Sequence, residues 1–379
     1  MFSNFAIRKT IHILVAIGVI ILSNFLNRYE MAFLCLTFVF LNAIINYKDF
    51  GIITFPLSVL ISTLIYYEDK NTYFLVLFPM FFADPLSSII GKNLNKLKFG
   101  EKTIIGSLVF FTITFISSVH FSKNILFSIV FSIFLTFVEI ISKKGLDNFF
   151  VVILGLVLIN VKIELFLSAM VFALIIASIS LILNWLDAEG SIGTFVIGSV
   201  ILYSGGFKWA IPLALFLILG SIVSKLNDKK IRRNLLQVLS NGGVSFILSI
   251  INIFHPNDLL YFVHICSISA MCSDTFSSEI GMKFSKKAYL ITNFKEVEKG
   301  TTGGVSFVGF LGGVLGSFLI SIFYTKWIYA FLIGIIGNLI DSIIGALIER
   351  KGLISNNLTN FIASLISSII GALTYTLKI

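Results

Sequence analysis

The sequence predicts an all-α fold: a polytopic transmembrane helical bundle of about fifteen helices, arranged as two tandem, pseudo-repeated halves. Three observations carry that prediction. Hydrophobic residues make up 57% of the 379 and charged residues only 12%, against about a quarter charged in a soluble domain; the mean hydropathy is +1.00. Apolar runs close to the ~20 residues needed to cross a bilayer recur along the whole chain with short polar gaps, so no soluble domain has room to fold. One acidic motif occurs twice, once in each half.

The helices follow in order. Arg8 and Lys9 lead into the first run, Ile11 to Leu26, which lacks an A-x-A-like cleavage site and reads as a membrane helix rather than a signal peptide. Further runs in the first half are Met31 to Asn46, Gly51 to Tyr67, Thr72 to Gly91, Thr103 to Phe121, Ile125 to Ile141, Asn148 to Asn160 and Ile163 to Leu183. The second half continues with Ser191 to Gly205, Trp209 to Leu226, Leu235 to Phe254, Leu259 to Gly281, Gly303 to Tyr324, Trp327 to Leu347 and Leu358 to Thr376.

Lysine and arginine should collect in cytoplasmic loops. With the N-terminus inside, the 28 Lys and Arg divide 21 to 7 in favour of the inner loops, which predicts a cytoplasmic N-terminus. This bias accounts for most of the net charge of +9, so nucleic acid is not implied. The three cysteines, Cys35, Cys266 and Cys272, fall in helices without metal-ligand spacing and read as small core residues.

Ionisable residues inside membrane segments are costly and face a cavity, a partner or a substrate path. Here they form a pattern. Asp84 begins D-P-L-S-S-I-I-G and Asp274 begins D-T-F-S-S-E-I-G, agreeing at five of eight positions. A basic loop follows each: Glu101-Lys102-Thr103-Ile104-Ile105-Gly106-Ser107 after the first, and Lys299-Gly300-Thr301-Thr302-Gly303-Gly304-Val305-Ser306 after the second. A third acidic element comes later in each half, Glu139 and Asp341, with Asp147 and Asn148 near the former. Lys143 and Lys144 are available to pair with Glu139 and Asp147 at the surface. Ahead of each copy lies a basic helix start, Arg8-Lys9 with His12 and Arg232-Arg233 with Gln237 and Asn241; residues three or four apart share a helix face and can point into one cavity. All these elements fall at predicted cytoplasmic helix ends, so the active side should face the cytosol.

The chemistry this suits is phosphoryl transfer. Carboxylates at Asp84, Glu139, Asp274, Glu279 and Asp341 can hold Mg²⁺ (or Mn²⁺) while lysines and glycine-rich amides hold phosphates. Gly300 to Gly304 is the clearest phosphate loop, with the following helix expected to present its positive dipole end there; it lacks the Walker order. Bland readings stand beside these. Asp84-Pro85 can be a helix-breaking interfacial pair, His12 a packing histidine, and the Gly309, Gly312, Gly313 and Gly316 stripe a packing feature.

These motifs carry a resemblance. The first half, through Arg8 to His12, Asp84 to Gly91, Glu101-Lys102 to Gly106-Ser107 and Glu139 to Asn148, resembles the dolichol kinase and phytol kinase family, itself similar to phosphatidate cytidylyltransferases. It departs from that family in Pro85 and in the GKNLNKLKFG stretch. The second half resembles the membrane family that includes plant phytyl-phosphate kinase, through GSIGTFVIGSVILYSGGFKWA, QVLSNGG, SDTFSSEIG, KGTTGG, DSIIGA and NNLTNFIAS.

The resemblance implies a dolichol/phytol kinase-like membrane domain over residues 1–161 and a phytyl-phosphate kinase-like domain over 162–379. Together they would phosphorylate a membrane-dissolved isoprenoid alcohol of the phytol, geranylgeraniol or polyprenol type and then its monophosphate, with CTP as donor and Mg²⁺ as cofactor. In that scheme Asp84, Asp274, Asp341 and Glu279 are catalytic, and Asp84, Glu139, Asp274 and Asp341 hold the metal. The phosphate-binding set is Lys102, Gly106, Ser107, Lys299, Gly300, Thr301, Thr302, Gly303 and Gly304, joined by Arg8, Lys9, His12, Arg233, Gln237 and Asn241. The partners are an isoprenoid lipid and a nucleoside triphosphate, at the cytoplasmic membrane. A lipid cytidylyltransferase and a transporter remain the alternatives.

Overall fold

The computed structural model describes residues 3–45, 50–94, 98–99, 102–143, 145–227 and 232–377. The contacts divide the chain into two units, 1–167 and 168–379, with the boundary inside helix α9.

The first unit runs α1 (Ser3–Leu22), α2 (Arg28–Ile45), α3 (Phe50–Tyr66), α4 (Lys70–Phe78), a π-helical turn (Pro79–Ala83), α5 (Asp84–Leu94), a hairpin of β1 (Lys98–Phe99) and β2 (Lys102–Thr103), α6 (Ile104–Ser122), α7 (Ile125–Ile141), α8 (Asp147–Ile159) and the start of α9 (Ile163–Ile182). Helix starts are closed by local acceptors, which satisfy backbone N–H groups that have no partner within the helix. Asp69 accepts from Thr72 N, Thr103 from Gly106 N and Asn124 from Phe127 N. The core of this unit gathers Met31, Val59, Tyr73, Met80 and Phe81 from α2, α3, α4 and the π-turn.

The second unit opens with α10 (Ala188–Ser224), formally one helix of 37 residues. A straight helix of that length would be about 55 Å long, yet both its ends meet Arg233. Asp187 N donates to Arg233 O at 3.0 Å, and a β-carbon at Gly220 would lie 2.5 Å from Arg233 Nη2. The reversal is at Gly206, whose φ of 61° and ψ of −155° are open to glycine and costly for other residues. Residues 188–205 and 207–224 are therefore two antiparallel arms, as the two separate sequence runs predict.

There follow α11 (Leu235–Phe254), α12 (Asp258–Phe284), β3 (Ala288–Leu290), β4 (Glu296–Val297), β5 (Gly304–Val305), α13 (Phe307–Ser321), α14 (Trp327–Leu347) and α15 (Asn356–Thr376). The three strands form a small antiparallel sheet in the order β4-β3-β5, with Tyr289 opposite Glu296 and Val305. Helix α13 lies on α12 through its glycines. A β-carbon at Gly316 would sit 2.6 Å from Cys272 O, and one at Gly309 2.8 Å from Ser277 O. The stripe is a packing surface, as small residues in membrane interfaces generally are.

The two units repeat one internal plan. In each, the second and third members pack together, as do the third and last, the fourth and fifth, and the sixth and last: α2–α3, α3–α8, α5–α6 and α7–α8 in one, α10–α11, α11–α15, α12–α13 and α14–α15 in the other. This matching corrects two sequence equivalences. The counterpart of α1, with Arg8, Lys9 and His12, is the first arm of α10, while Arg233, Gln237 and Asn241 lead into and lie on α11, the counterpart of α3. The counterpart of Thr103-x-x-Gly106 is Ser306-x-x-Gly309, since Thr103 and Ser306 both cap the next helix through the glycine amide; Lys299 to Gly304 lie earlier, in the strand-bearing loop. Among the described residues, nine helical segments are long and apolar enough to cross a membrane, and α3, α7, α8 and α13 are shorter apolar helices.

Candidate functional sites

In the first unit the site is built where α1, α5, α6, α7 and α8 begin or end. A π-turn before Asp84 shapes it. Asp84 N donates to Pro79 O, five residues back, so the carbonyl of Met80, which an α-helix would use, is left over. His12 Nε2 lies 2.9 Å from Met80 O and takes it up, with its ring edge-on to Phe55. His12 thus locks the bulge that presents Asp84, a structural role; π-bulges of this kind recur at functional sites.

Asp84 is only 4% exposed. Lys9 Nζ donates to its Oδ2 at 2.7 Å, while Oδ1 is buried without a partner. Glu139, 2% exposed, accepts from Lys102 Nζ through Oε1 at 2.5 Å, and its Oε2 is likewise unpartnered. Lys102 also lies 3.5 Å from Asp147 Oδ2. Burial works to lower the Lys102 ammonium's pKa, but Glu139, Asp147 and Asp84 outweigh it and hold it above the usual lysine range. The partner of Glu139 and Asp147 is therefore Lys102 from β2, not the following Lys143; Lys144, Lys96 and Glu101 lie outside the described residues. Gly106 is buried where a β-carbon would press on Thr103 Oγ1 and Ser87 O, so its role is close packing of α6 on α5. Arg8, Lys9, His12, Lys102, Gly106 and Ser107 all border one cavity.

In the second unit Asp274 on α12 and Asp341 on α14 have their carboxyl groups within hydrogen-bonding reach of each other. Two carboxyls so close call for a shared proton or a bridging cation. The Asn360 carboxamide on α15 joins them, with one of its two heavy atoms 3.2 Å from Asp341 Oδ1 and the other 3.3 Å from Asn241 Oδ1. Ser273 Oγ beside Asp274 is buried and unpartnered. Glu349 lies near both aspartates and accepts from Thr359 Oγ1 at 2.7 Å.

The remaining predicted residues divide. Glu279 faces elsewhere: Asn227 Nδ2 donates to its Oε2 at 2.6 Å and Ser224 Oγ to its Oε1 at 3.1 Å, tying α12 to the end of α10. Burial lowers the pKa of Arg233 against the opposing pull of Glu279. Gln237 closes a capping box with Asn234. The glycine loop departs from expectation. Gly303 and Gly304 do not open α13, which begins after the Ser306 cap; a β-carbon at Gly303 would strike Ala346 on α14 at 2.5 Å. The loop therefore leans on the end of α14 one turn beyond Asp341. Gly300 and Gly303 have φ of 83° and 76°, the left-handed region that favours glycine. Lys299 is exposed, with Nζ 3.5 Å from Met282 O, and Thr301 Oγ1 donates to Glu298 O.

The residues fit a divalent cation in part. Mg²⁺ is usually held by one or two carboxylates together with substrate phosphates, and Asp84 Oδ1 and Glu139 Oε2, or the Asp274–Asp341 pair, supply that number. Among the described residues no three His, Cys, Asp or Glu side chains group as a self-sufficient metal centre. Asn360 and Glu349 were given no role by sequence reasoning; for Asn360 the signal was present in NNLTNF.

Fold and sites together define an all-α polytopic membrane protein with a buried acidic site in each of two units. Comparison with known proteins places it further: the chain belongs to the integral membrane protein DUF92 family, whose profile matches residues 169–374, nearly all of the second unit. It is 44% identical over 205 residues to an uncharacterized membrane protein of Methanocaldococcus jannaschii, covering 50% of this chain and 86% of that protein. To the protein PGR of Arabidopsis thaliana it is 30% identical over 234 residues, 49% of this chain and 81% of PGR. To the chloroplastic protein VTE6 of the same plant it is 27% identical over 195 residues, 45% of this chain and 59% of VTE6. No solved structure matches the chain.

Proposed function

We propose that the protein is an integral membrane isoprenoid kinase: the first unit phosphorylates an isoprenoid alcohol and the second converts the monophosphate to the diphosphate, with CTP as phosphoryl donor. The resemblance of the second unit to the family that includes plant phytyl-phosphate kinase supports the reaction class. One structural observation carries it. Each unit sets a carboxylate pair at the equivalent place, Asp84 with Glu139 and Asp274 with Asp341, all buried except the half-buried Asp274, in a chain otherwise so apolar that such groups are costly without a use.

In this reading the alcohol oxygen attacks the γ-phosphorus, its proton passes to the free Oδ1 of Asp84, and the bond from the γ-phosphorus to the bridging oxygen breaks to release CDP. Lys9 and Lys102 offset the phosphate charge. Mg²⁺, when bound, would neutralise charge on the donor's phosphates. In the second unit Asp274 and Asp341 play the acidic part, and Asn360, Asn241 and Arg233 meet the headgroup. The monophosphate needs no base of high strength, since its oxygen is already anionic.

The test is to incubate purified protein in detergent with Mg²⁺, γ-labelled CTP or ATP, and geranylgeraniol, phytol or their monophosphates, and to separate the lipids. Label entering both alcohols and monophosphates supports the two-step reading and names the donor. Absence of γ-label from lipid with release of pyrophosphate would transfer the assignment to a cytidylyltransferase. Asp274→Asn should abolish monophosphate conversion and leave alcohol phosphorylation; loss of both in a folded protein would overturn the two-site scheme.

A further inference from the structure

The first unit carries a cavity of about 1330 Å³, larger than the ~300–1,000 Å³ of ordinary small-molecule pockets. Its shape follows from how α1 is held. Helix α1 packs on the π-turn and α5, and the stripe formed by His12, Val15, Gly18, Val19 and Leu22 lines the cavity, at the helical spacing of one face. Across it stand Met31 and Cys35 of α2 and Val59 of α3, all three buried. One end holds Lys9, Asp84, Lys102 and Glu139; beyond His12 the lining that α1 contributes is apolar. From Lys9 to Leu22 the groove runs about 20 Å along α1.

We infer that this groove holds the single apolar tail of the isoprenoid alcohol, with its hydroxyl at Asp84 and Lys102, and that Gly18 sets how long a tail can enter. The inference rests on the proposed kinase function for the substrate's identity, and on the geometry for its position. A charged end and an apolar remainder match a lipid with one small polar head. The second unit repeats the arrangement independently: a narrower apolar cavity of about 80 Å³ lies against the two arms of α10 and α11, with Arg233, Gln237 and Asn241 along its polar side, at the fold position that α1, α2 and α3 occupy in the first.

Gly18 is the discriminating residue. It lies nine residues past Lys9, about 14 Å along the helix, and a β-carbon there meets no atom within 4 Å. A side chain added at this position starts in open space on the face that lines the groove, and removing a helix-interior glycine favours the helix.

The experiment uses the full chain in nanodiscs with geranylgeraniol carrying a diazirine at its tail end, irradiated without nucleotide, and maps cross-linked peptides by mass spectrometry. Adducts on α2 around Met31 to Cys35, competed by unlabelled geranylgeraniol, reduced at least ten-fold in Gly18→Phe and retained in Gly18→Ala, are expected; a geraniol analogue should still label α1 above Gly18 in Gly18→Phe. A thermal melt confirms that the Phe variant is folded. Adducts outside the groove, labelling unaffected by Gly18→Phe, or competition by a two-chain phosphatidylglycerol as strong as by the alcohol would each overturn the inference. Because no turnover is needed, cross-linking without kinase activity removes only the functional proposal, and kinase activity without cross-linking in the groove removes only this one.

Discussion

Lys102 offers the sharpest test of the first site. It reaches Glu139 at 2.5 Å and Asp147 at 3.5 Å, and Glu139 is 2% exposed with its other oxygen unpartnered. Lys102→Met therefore leaves a buried carboxylate without its counter-charge. Breaking one side of a buried pair costs about 3–5 kcal/mol, a fall of roughly 10² to 10⁴ in the folded-to-unfolded ratio at 1.4 kcal/mol per tenfold. Replacing both partners, Lys102→Met with Glu139→Leu, should recover stability to within about 1 kcal/mol, since an apolar pair of similar volume is often neutral, but it should not recover alcohol phosphorylation. Unfolding followed by circular dichroism in mixed micelles, with the lipid-labelling assay in parallel, reads both. The pH dependence has a definite sign. A lysine whose folded pKa is raised contributes fully below its unfolded value of about 10.4 and loses that contribution only as pH rises through the higher folded value, so the lysine itself introduces no pH dependence in the parent between pH 6 and 9. A Lys102→Met protein within about 0.5 kcal/mol of the parent would show that the pair does not hold β2 to α7.

Three further outcomes follow from the packing and a fourth from the loop charges. Gly316→Leu should destabilise by about 1–3 kcal/mol, because its β-carbon would lie 2.6 Å from Cys272 O; a melt of the variant measures it. Gly206→Val should cost about 1–3 kcal/mol through the strained backbone at the α10 reversal, read as a lowered midpoint in the same melt. His12→Leu should free the Met80 carbonyl and lower stability by about 1–3 kcal/mol, whereas a catalytic role for the ring would instead show as lost activity in a fully stable variant. Single cysteines at the exposed positions Lys143 and Arg350 should react with an impermeant thiol reagent from the same membrane face; reaction from opposite faces would break the expectation from the Lys and Arg bias that both lie in cytoplasmic loops.

The membrane class and the helices were readable because both are local. A run of apolar residues is a span wherever it sits, and most of the predicted runs meet a helix at nearly the same bounds; α1 starts eight residues before the Ile11 run, the Thr72 run is divided by the π-turn into α4 and α5, and the Gly303 run is shortened at its start because Gly303 and Gly304 are drawn onto α14 and into β5. The acidic residues were also legible, since Asp84, Glu139 and Asp341 stand out against hydrocarbon. Their partners were not. Lys9 and Asp84 are 75 residues apart, and Lys102 and Glu139 are 37 apart, and nothing in helical periodicity pairs such positions. Glu279 looked equivalent to its neighbour Asp274 in sequence, yet five residues along a helix turn it toward α10 instead of α14.

The amino-acid sequence by itself determined that this chain lives in a membrane, where its helices lie and which carboxylates must be accounted for, because hydropathy and periodicity act over single helices. Only the tertiary structure decided that α10 folds back at Gly206, that a π-turn hands a carbonyl to His12, and that Ser306 rather than the glycine loop answers to Thr103. Those features depend on which helix faces which, and that is settled by packing between segments far apart in the chain.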